Sequence, residues 1–327
     1  MQIHTKKEFI FSADEITAAC HASTVLPLDD GNVLAAWFGG AKEGDASVEI
    51  YISMRGTDGI WEKPRIVSEN DGVPHWNPVL HLRQDGTILL FYKYGFQIDN
   101  WVTHVVSSKD GGQSWSQPSV LVPGDDSGGR GPVKNKCLRL SDGTLLAPSS
   151  TEQNRKWIAF IDRSEDDGVT WTKSPAMDRP LYKGRKVGLI QPTLWQDDLG
   201  IVHALMRSNK GAVYKSDSAD NGITWNTPYR TGLPNNNSGI NCAKDDEGRI
   251  WLLYNPVKEN WGDRYPLTLA VSTDNGNIFL PVCSPETAEG EYSYPAIVCR
   301  GNRLYFTYTY NRKQIVYSEI DINTLFY

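Results

Sequence analysis

A chain of 327 residues carrying 39 acidic and 33 basic side chains, a formal net charge of −6, does not have the basic footprint of a general nucleic-acid or membrane-surface binder. No apolar run approaches the roughly 20 residues of a membrane span, and Met1 to Cys20 lacks the apolar core of a signal peptide, which reads as a cytoplasmic protein. Five cysteines (Cys20, Cys137, Cys242, Cys283, Cys299), widely spaced and without a CxxC pair, read as buried thiols rather than a zinc site or a disulfide frame.

The first predicted element is a strand over residues 3–10, IHTKKEFI. It is followed by the segment that sets the pattern for the rest, HASTVLPLDDGNVLAAWFGG from His21 to Gly40: an apolar strand, a turn ending in Gly, and a second apolar strand. Versions begin again at Trp76, Val133, Ile190, Gly239 and Tyr294, with turn glycines at Gly31, Gly86, Gly143, Gly200, Gly248 and Gly301. A strand-rich repeat at roughly 50 residues is the signature of propeller blades. The second strands, TILLFYKY and RIWLLYN among them, are apolar on both faces, as strands sandwiched between neighbouring blades must be.

After the third strand of blades 2 to 5 comes S-x-D-x-G-x-x-W/F; the blade 1 copy, GTDGIW from Gly56 to Trp61, is one residue short, and the sixth is eroded. The full pattern occurs as Ser108, Asp110, Gly112, Trp115; as Ser164, Asp166, Gly168, Trp171; as Ser218, Asp220, Gly222, Trp225; and as Ser272, Asp274, Gly276, Phe279. Its aspartates are 56, 54 and 54 residues apart, which sets the blade length. Ser and Asp side chains can bond nearby backbone N–H groups, Gly takes the φ > 0 position, and the aromatic ring plugs between strands. The chain therefore reads as one all-β domain over residues 1–327: a six-bladed β-propeller with four antiparallel strands per blade, whose N-terminal strand completes the last blade and removes the open edge.

Register selects candidates for a ligand site, because ligands of a propeller bind at the channel mouth near the starts of inner strands and the ends of second strands. His21, Trp76, Asn77, Lys134 to Lys136, Gln191, Asn237 to Asn241 and Tyr292 to Tyr294 open the inner strands. Lys93 and Arg207 are among the residues that end the second strands. This mixture of cations, amides and aromatic rings fits a sugar site, and its cations suit an acidic sugar. No HExxH or comparable spacing is present, so neither a metal nor another cofactor is required.

On these Asp-box repeats the chain resembles the sialidase (neuraminidase) superfamily, and more closely the bacterial sialidase-like BNR-repeat proteins with a HAST…AWFGG start. The resemblance implies a Tyr nucleophile activated by a Glu, an Asp acid/base on a blade 1 loop, and three arginines that clamp the substrate carboxylate bidentately. Carried onto this sequence it points to Tyr292 as nucleophile with Glu291 or Glu289 beside it, to Asp45 or Glu43 as the acid, to Arg207, reaching from another strand, in place of the second clamp arginine, and to Arg264 or Arg312 as the third. His21 stands where the first clamp arginine belongs, and Val213 where the second does. With Lys93, Lys134, Lys136, Trp76, Asn77, Gln191 and Asn241 as further binding residues, the expected protein is an exo-acting glycoside hydrolase on the terminal acidic sugar of a small oligosaccharide or glycan. Two alternatives stand beside it. One is a uronate-directed lyase or rhamnosidase-like enzyme that uses His21 as a proton-transfer group, and the other is a non-catalytic glycan-binding propeller.

Overall fold

The fold is that of a computed structural model, which describes residues 6–68, 71–125 and 127–325. Six four-stranded antiparallel sheets form the six blades of a propeller, and a two-stranded hairpin, Leu181–Tyr182 with Arg185–Lys186, is inserted after blade 3. The inner strands are Ala19–Pro27, His75–Leu82, Leu138–Arg139, Leu189–Gln196, Asn241–Lys244 and Tyr292–Arg300. Each is hydrogen-bonded to the second strand of its own blade. In blade 6 the outer strand is Lys6–Phe9, which pairs antiparallel with Gln314–Asp321 as expected; residues 3–5 of the anticipated strand lie outside the described residues. Arg55 of blade 1 locks this closure with a bidentate ion pair to Glu8, at 2.8 and 3.0 Å.

There is no single central core. Apolar clusters lie between consecutive blades, and the second strands feed both sides, as their two-faced apolar pattern requires. In blade 1, Leu34, Ala36 and Phe38 pack toward blade 2, while Val33, Ala35 and Trp37 pack toward blade 6. Leu252 and Leu253 divide in the same way between blades 4 and 6. Trp37, Trp195 and Trp251 are among the largest fully buried side chains and belong to three different interfaces.

The Asp boxes staple the outer hairpins by the expected bonds. In blade 4 the Ser218 hydroxyl donates to Asp220 Oδ1 at 2.7 Å and accepts from Gly222 N–H at 2.9 Å, and Asp220 also accepts from Thr224 N–H at 2.8 Å. The other three boxes repeat the serine bonds to within 0.1 or 0.2 Å. Ser218→Ala leaves the buried Gly222 N–H unpaired and is expected to lower unfolding free energy by ~1–3 kcal/mol, read from the denaturant midpoint at unchanged m-value. Among the described residues no helix is long and apolar enough to cross a membrane, and all five cysteines are free, three of them buried and two half-buried.

Candidate active site at the channel mouth

Four inner strands break register at the same point. Their pairing shifts between His21 and Thr24, Trp76 and Val79, Ile190 and Thr193, and Ser293 and Ala296. Inside each shift one residue adopts a left-handed backbone: Ala22 at φ 55°, Asn77 at 45°, Gln191 at 54° and Tyr294 at 52°. Asn237, just ahead of the blade 5 inner strand, does the same at φ 64°. A non-Gly residue held there costs on the order of 1–3 kcal/mol, and such bulges re-aim side chains. Here three of the five, Gln191, Asn237 and Tyr294, are brought together on one guanidinium.

That guanidinium is Arg207, at the end of the blade 4 second strand. Its Nε donates to Asn237 Oδ1 at 2.8 Å, and its Nη1 donates to Gln191 Oε1 at 3.2 Å and to the Tyr294 hydroxyl oxygen at 2.8 Å. Gln191 Nε2 lies 3.4 Å from the same phenol oxygen and donates to it. Tyr294 therefore accepts two hydrogen bonds, and its own hydroxyl proton remains available to a ligand. Trp157 and Trp261 flank the guanidinium with ring centroids 5.4 and 5.7 Å from Cζ, while Arg207 Nη2 has no hydrogen bond among the described residues.

A second arginine, Arg264, approaches the Tyr294 ring, and a third, Arg312, is tied to Arg264 through a shared carboxylate. Arg264 Cζ is 5.8 Å from the ring centroid, and its Nη1 donates to Glu291 Oε1 at 2.8 Å. Arg312 Nε donates to the same oxygen at 2.8 Å, and its Nη1 pairs with Glu43. Glu291 is thus a bridge that holds two guanidinium groups in place. Arg207 carries no such carboxylate bond. The mouth around Tyr294 keeps more positive than negative charge, the condition for holding an anion.

His21 lies against Tyr294 with ring centroids 4.2 Å apart, and its Nδ1 is 3.0 Å from the Thr309 hydroxyl. Burial, reinforced by the positive charge of Arg312 and Arg264, holds this imidazole well below its ordinary pKa, so it is neutral at physiological pH. Nε2 makes no hydrogen bond among the described residues. A neutral base beside a phenol is a pair able to exchange a proton.

Other expected site residues have structural surroundings. Tyr292 is a correction: it is 2% exposed, packs between blades 5 and 6 against Tyr310, and its hydroxyl lies 3.4 Å from the Glu289 carbonyl. Burial pushes its phenol up to about 12. The phenol in the mouth is Tyr294, two residues on.

The three lysines expected to neutralise a carboxylate also face protein oxygens instead. Lys93 bonds Thr103 Oγ1 and the Arg130 carbonyl, both at 2.6 Å, and burial lowers it to about 7. Lys134 bridges blades 3, 5 and 6 through Asn135 Oδ1, the Ile240 carbonyl and the Pro295 carbonyl. Lys136 does the same through Asn241, the Cys242 carbonyl and the Ile297 carbonyl. These crossings explain why Val133–Cys137, expected to open the blade 3 inner strand, is not a strand: the strand begins at Leu138. Lys136→Met leaves carbonyl oxygens unpaired and is expected to reduce stability by ~1–3 kcal/mol while leaving acidic-sugar affinity unchanged, as thermal unfolding and calorimetric titration would read.

Asn241 is absorbed into the same lattice through Asn135 and the Ile297 N–H. Trp76 is 6% exposed with its indole N–H on the Gly95 carbonyl, and Asn77 is buried at its bulge. Asp45 accepts from both the N–H and the hydroxyl of Ser47 at 3.0 and 2.7 Å, and the backbone bond, then the hydroxyl, holds its carboxyl below the usual range. Glu43, the other expected acid, is the ion-pair partner of Arg312.

An open groove of about 930 Å³ is lined by residues of blades 2 to 5, among them Glu152 and Trp157, which sequence reasoning did not place in a site, and Trp261, a ring that the glycan-binding reading would use. All three sit on loops outside the repeat, so no register pointed to them. Among the described residues no group of three or more His, Cys, Asp or Glu side chains is arranged to hold a metal ion.

Six blades, four of them stapled by Asp boxes, closed by the N-terminal strand and with guanidinium groups and a phenol at the channel mouth, define a sialidase-like propeller. The chain belongs to the BNR repeat-like domain family, whose model matches residues 31–306. Its fold is similar to that of the Hadza microbial sialidase Hz136, with a TM-score of 0.81 and 18% identity over 98% of this chain and 69% of that one. A protein of unknown function from Dyadobacter fermentans is similar at 0.79 and 18%, over 98% of this chain and 99% of that one. Trypanosoma rangeli sialidase in complex with the inhibitor DANA is similar at 0.77 and 14%, over 97% of this chain and 60% of that one. At these identities the likeness is one of fold. No curated protein matches the chain in sequence.

Proposed function

We propose that this protein is a carbohydrate-active enzyme of the sialidase superfamily that removes a terminal acidic sugar, a sialic acid or a uronate, from a small oligosaccharide or glycan. The observation that carries this reading is the Tyr294 hydroxyl held 2.8 Å from Arg207, with a second guanidinium, Arg264, 5.8 Å from its ring centroid. A sugar carboxylate would meet the free Nη2 of Arg207 and the free edge of Arg264, because planar guanidinium forks match carboxylate geometry. Tyr294 would then face the anomeric carbon, where a phenol is repelled less by an anionic sugar than a carboxylate nucleophile would be.

A second reading is favoured by what surrounds the phenol. Among the described residues Tyr294 has no carboxylate partner, the neighbouring amide is Gln191, and the adjacent base is the neutral His21. In a uronate lyase the arginines would acidify the proton next to the sugar carboxylate, and His21 would take it.

Incubation with a fluorogenic sialoside and with saturated and unsaturated glucuronate oligosaccharides separates the readings. Released acidic sugar that disappears in Tyr294→Phe supports the hydrolase. A new ultraviolet-absorbing unsaturated product that is lost in His21→Ala supports the lyase, and binding without turnover supports neither enzyme.

A further inference from the structure

Hydrolysis of a sugar with a poor leaving group needs a proton donor at the departing oxygen, and the blade 1 loop does not supply one. Asp45 is bonded to both the N–H and the hydroxyl of Ser47, which hold its carboxyl below the usual range, and Glu43 is taken up by its pairing with Arg312. A third carboxyl stands at the mouth. Glu152 follows the blade 3 second strand and lines the groove beside Trp157, Asn237 and Trp261, and it has no hydrogen bond or ion pair among the described residues.

The Glu152 loop is built to hold it there. Asn154 and Arg155 both take left-handed backbones, at φ 50° and 59°, and Gln153 Nε2 donates to the Ser127 carbonyl at 2.6 Å. Strain of this kind persists only where the surroundings over-determine it.

We infer that Glu152 is the proton donor of the site, reaching it from the groove wall and acting on the oxygen that joins the acidic sugar to the rest of its oligosaccharide. The inference rests on the hydrolase reading above. Two features of its surroundings fit the role. Burial raises its carboxyl above the usual range, and the opposing positive charge of Arg207 lowers it by less. Asp99 and Arg155, the other charged groups lining the groove, are both exposed.

In the first half-reaction the bond between anomeric carbon and leaving oxygen breaks, with its electron pair going to that oxygen. The Glu152 proton moves to the same oxygen, giving an alcohol and a carboxylate. The Tyr294 oxygen bonds the anomeric carbon, and its proton passes to His21. In the second half-reaction water attacks that carbon and gives its proton to the Glu152 carboxylate, while the carbon–Tyr294 bond breaks and the phenol regains its proton from His21. All groups return to their starting state.

The test compares wild type and Glu152→Gln on two glycosides of one acidic sugar, N-acetylneuraminic acid or glucuronic acid. One carries 4-methylumbelliferone, which leaves without protonation, and the other carries lactose. The expected result is a loss of ~10²–10⁴-fold in kcat on the lactose glycoside and a change of only a few-fold on the aryl glycoside. The basic limb of the wild-type kcat/KM profile on the lactose glycoside should also flatten in the variant. Equal losses on both substrates, or none on either, would overturn the assignment of Glu152 alone. Wild type that turns over neither glycoside would overturn the hydrolase reading itself, and this inference with it.

Discussion

Tyr294→Phe is expected to leave the propeller folded and to reduce turnover of an acidic-sugar glycoside by on the order of 10³-fold or more, the scale for losing a positioned reacting group. The ring stays, so its contacts with His21, Arg207 and Arg264 are kept. What is lost is one oxygen that accepts from Arg207 and Gln191 and presents its own proton to the groove. Substrate affinity should therefore change much less than kcat. Tyr292→Phe is the control: its hydroxyl lies 3.4 Å from a carbonyl inside the blade 5 and 6 packing, and turnover should stay close to wild type.

The second large effect is expected at Arg207. Arg207→Ala removes the guanidinium that organises Asn237, Gln191 and Tyr294 and offers its free Nη2 to a carboxylate, and it should weaken kcat/KM by about 2–5 kcal/mol, or roughly 30- to 5,000-fold. Arg207→Lys keeps the charge but loses the planar fork and the stacking between Trp157 and Trp261, so it should recover only part of the loss. Wild type should bind the free acid more tightly than its methyl ester, and the difference should shrink in both variants. An unchanged preference for the acid in Arg207→Ala would place the carboxylate elsewhere.

Repetition made the fold legible in the sequence. Six turn glycines and four Asp boxes in phase leave little freedom in blade count, and the two-faced apolar second strands already implied a core divided among blade interfaces. The site was legible where chemistry is tied to register: His21, Gln191, Arg207, Arg264, Arg312 and Glu291 all gather around the mouth. Register misled where the strand departs from it. In a regular strand Tyr292 and Tyr294 would share a face, but the bulge between Ser293 and Ala296 turns Tyr294 into the mouth and leaves Tyr292 in the wall.

Charge alone misled for the lysines. A buried ammonium must find acceptors, and at Lys93, Lys134 and Lys136 backbone carbonyls are among those acceptors, so the cations tie the blades together instead of facing a ligand. Glu152 and Trp157 were invisible for another reason. They reach the groove from loops whose paths no repeat pattern constrains.

The most direct test of the acidic-sugar site is a crystal structure of the protein with bound N-acetylneuraminic acid or glucuronic acid. The expected result is a sugar carboxylate within ~3 Å of Arg207 Nη2 and Arg264, with the ring over the Tyr294 hydroxyl. A sugar bound with its carboxylate away from all three arginines, or seated elsewhere on the propeller, would contradict it.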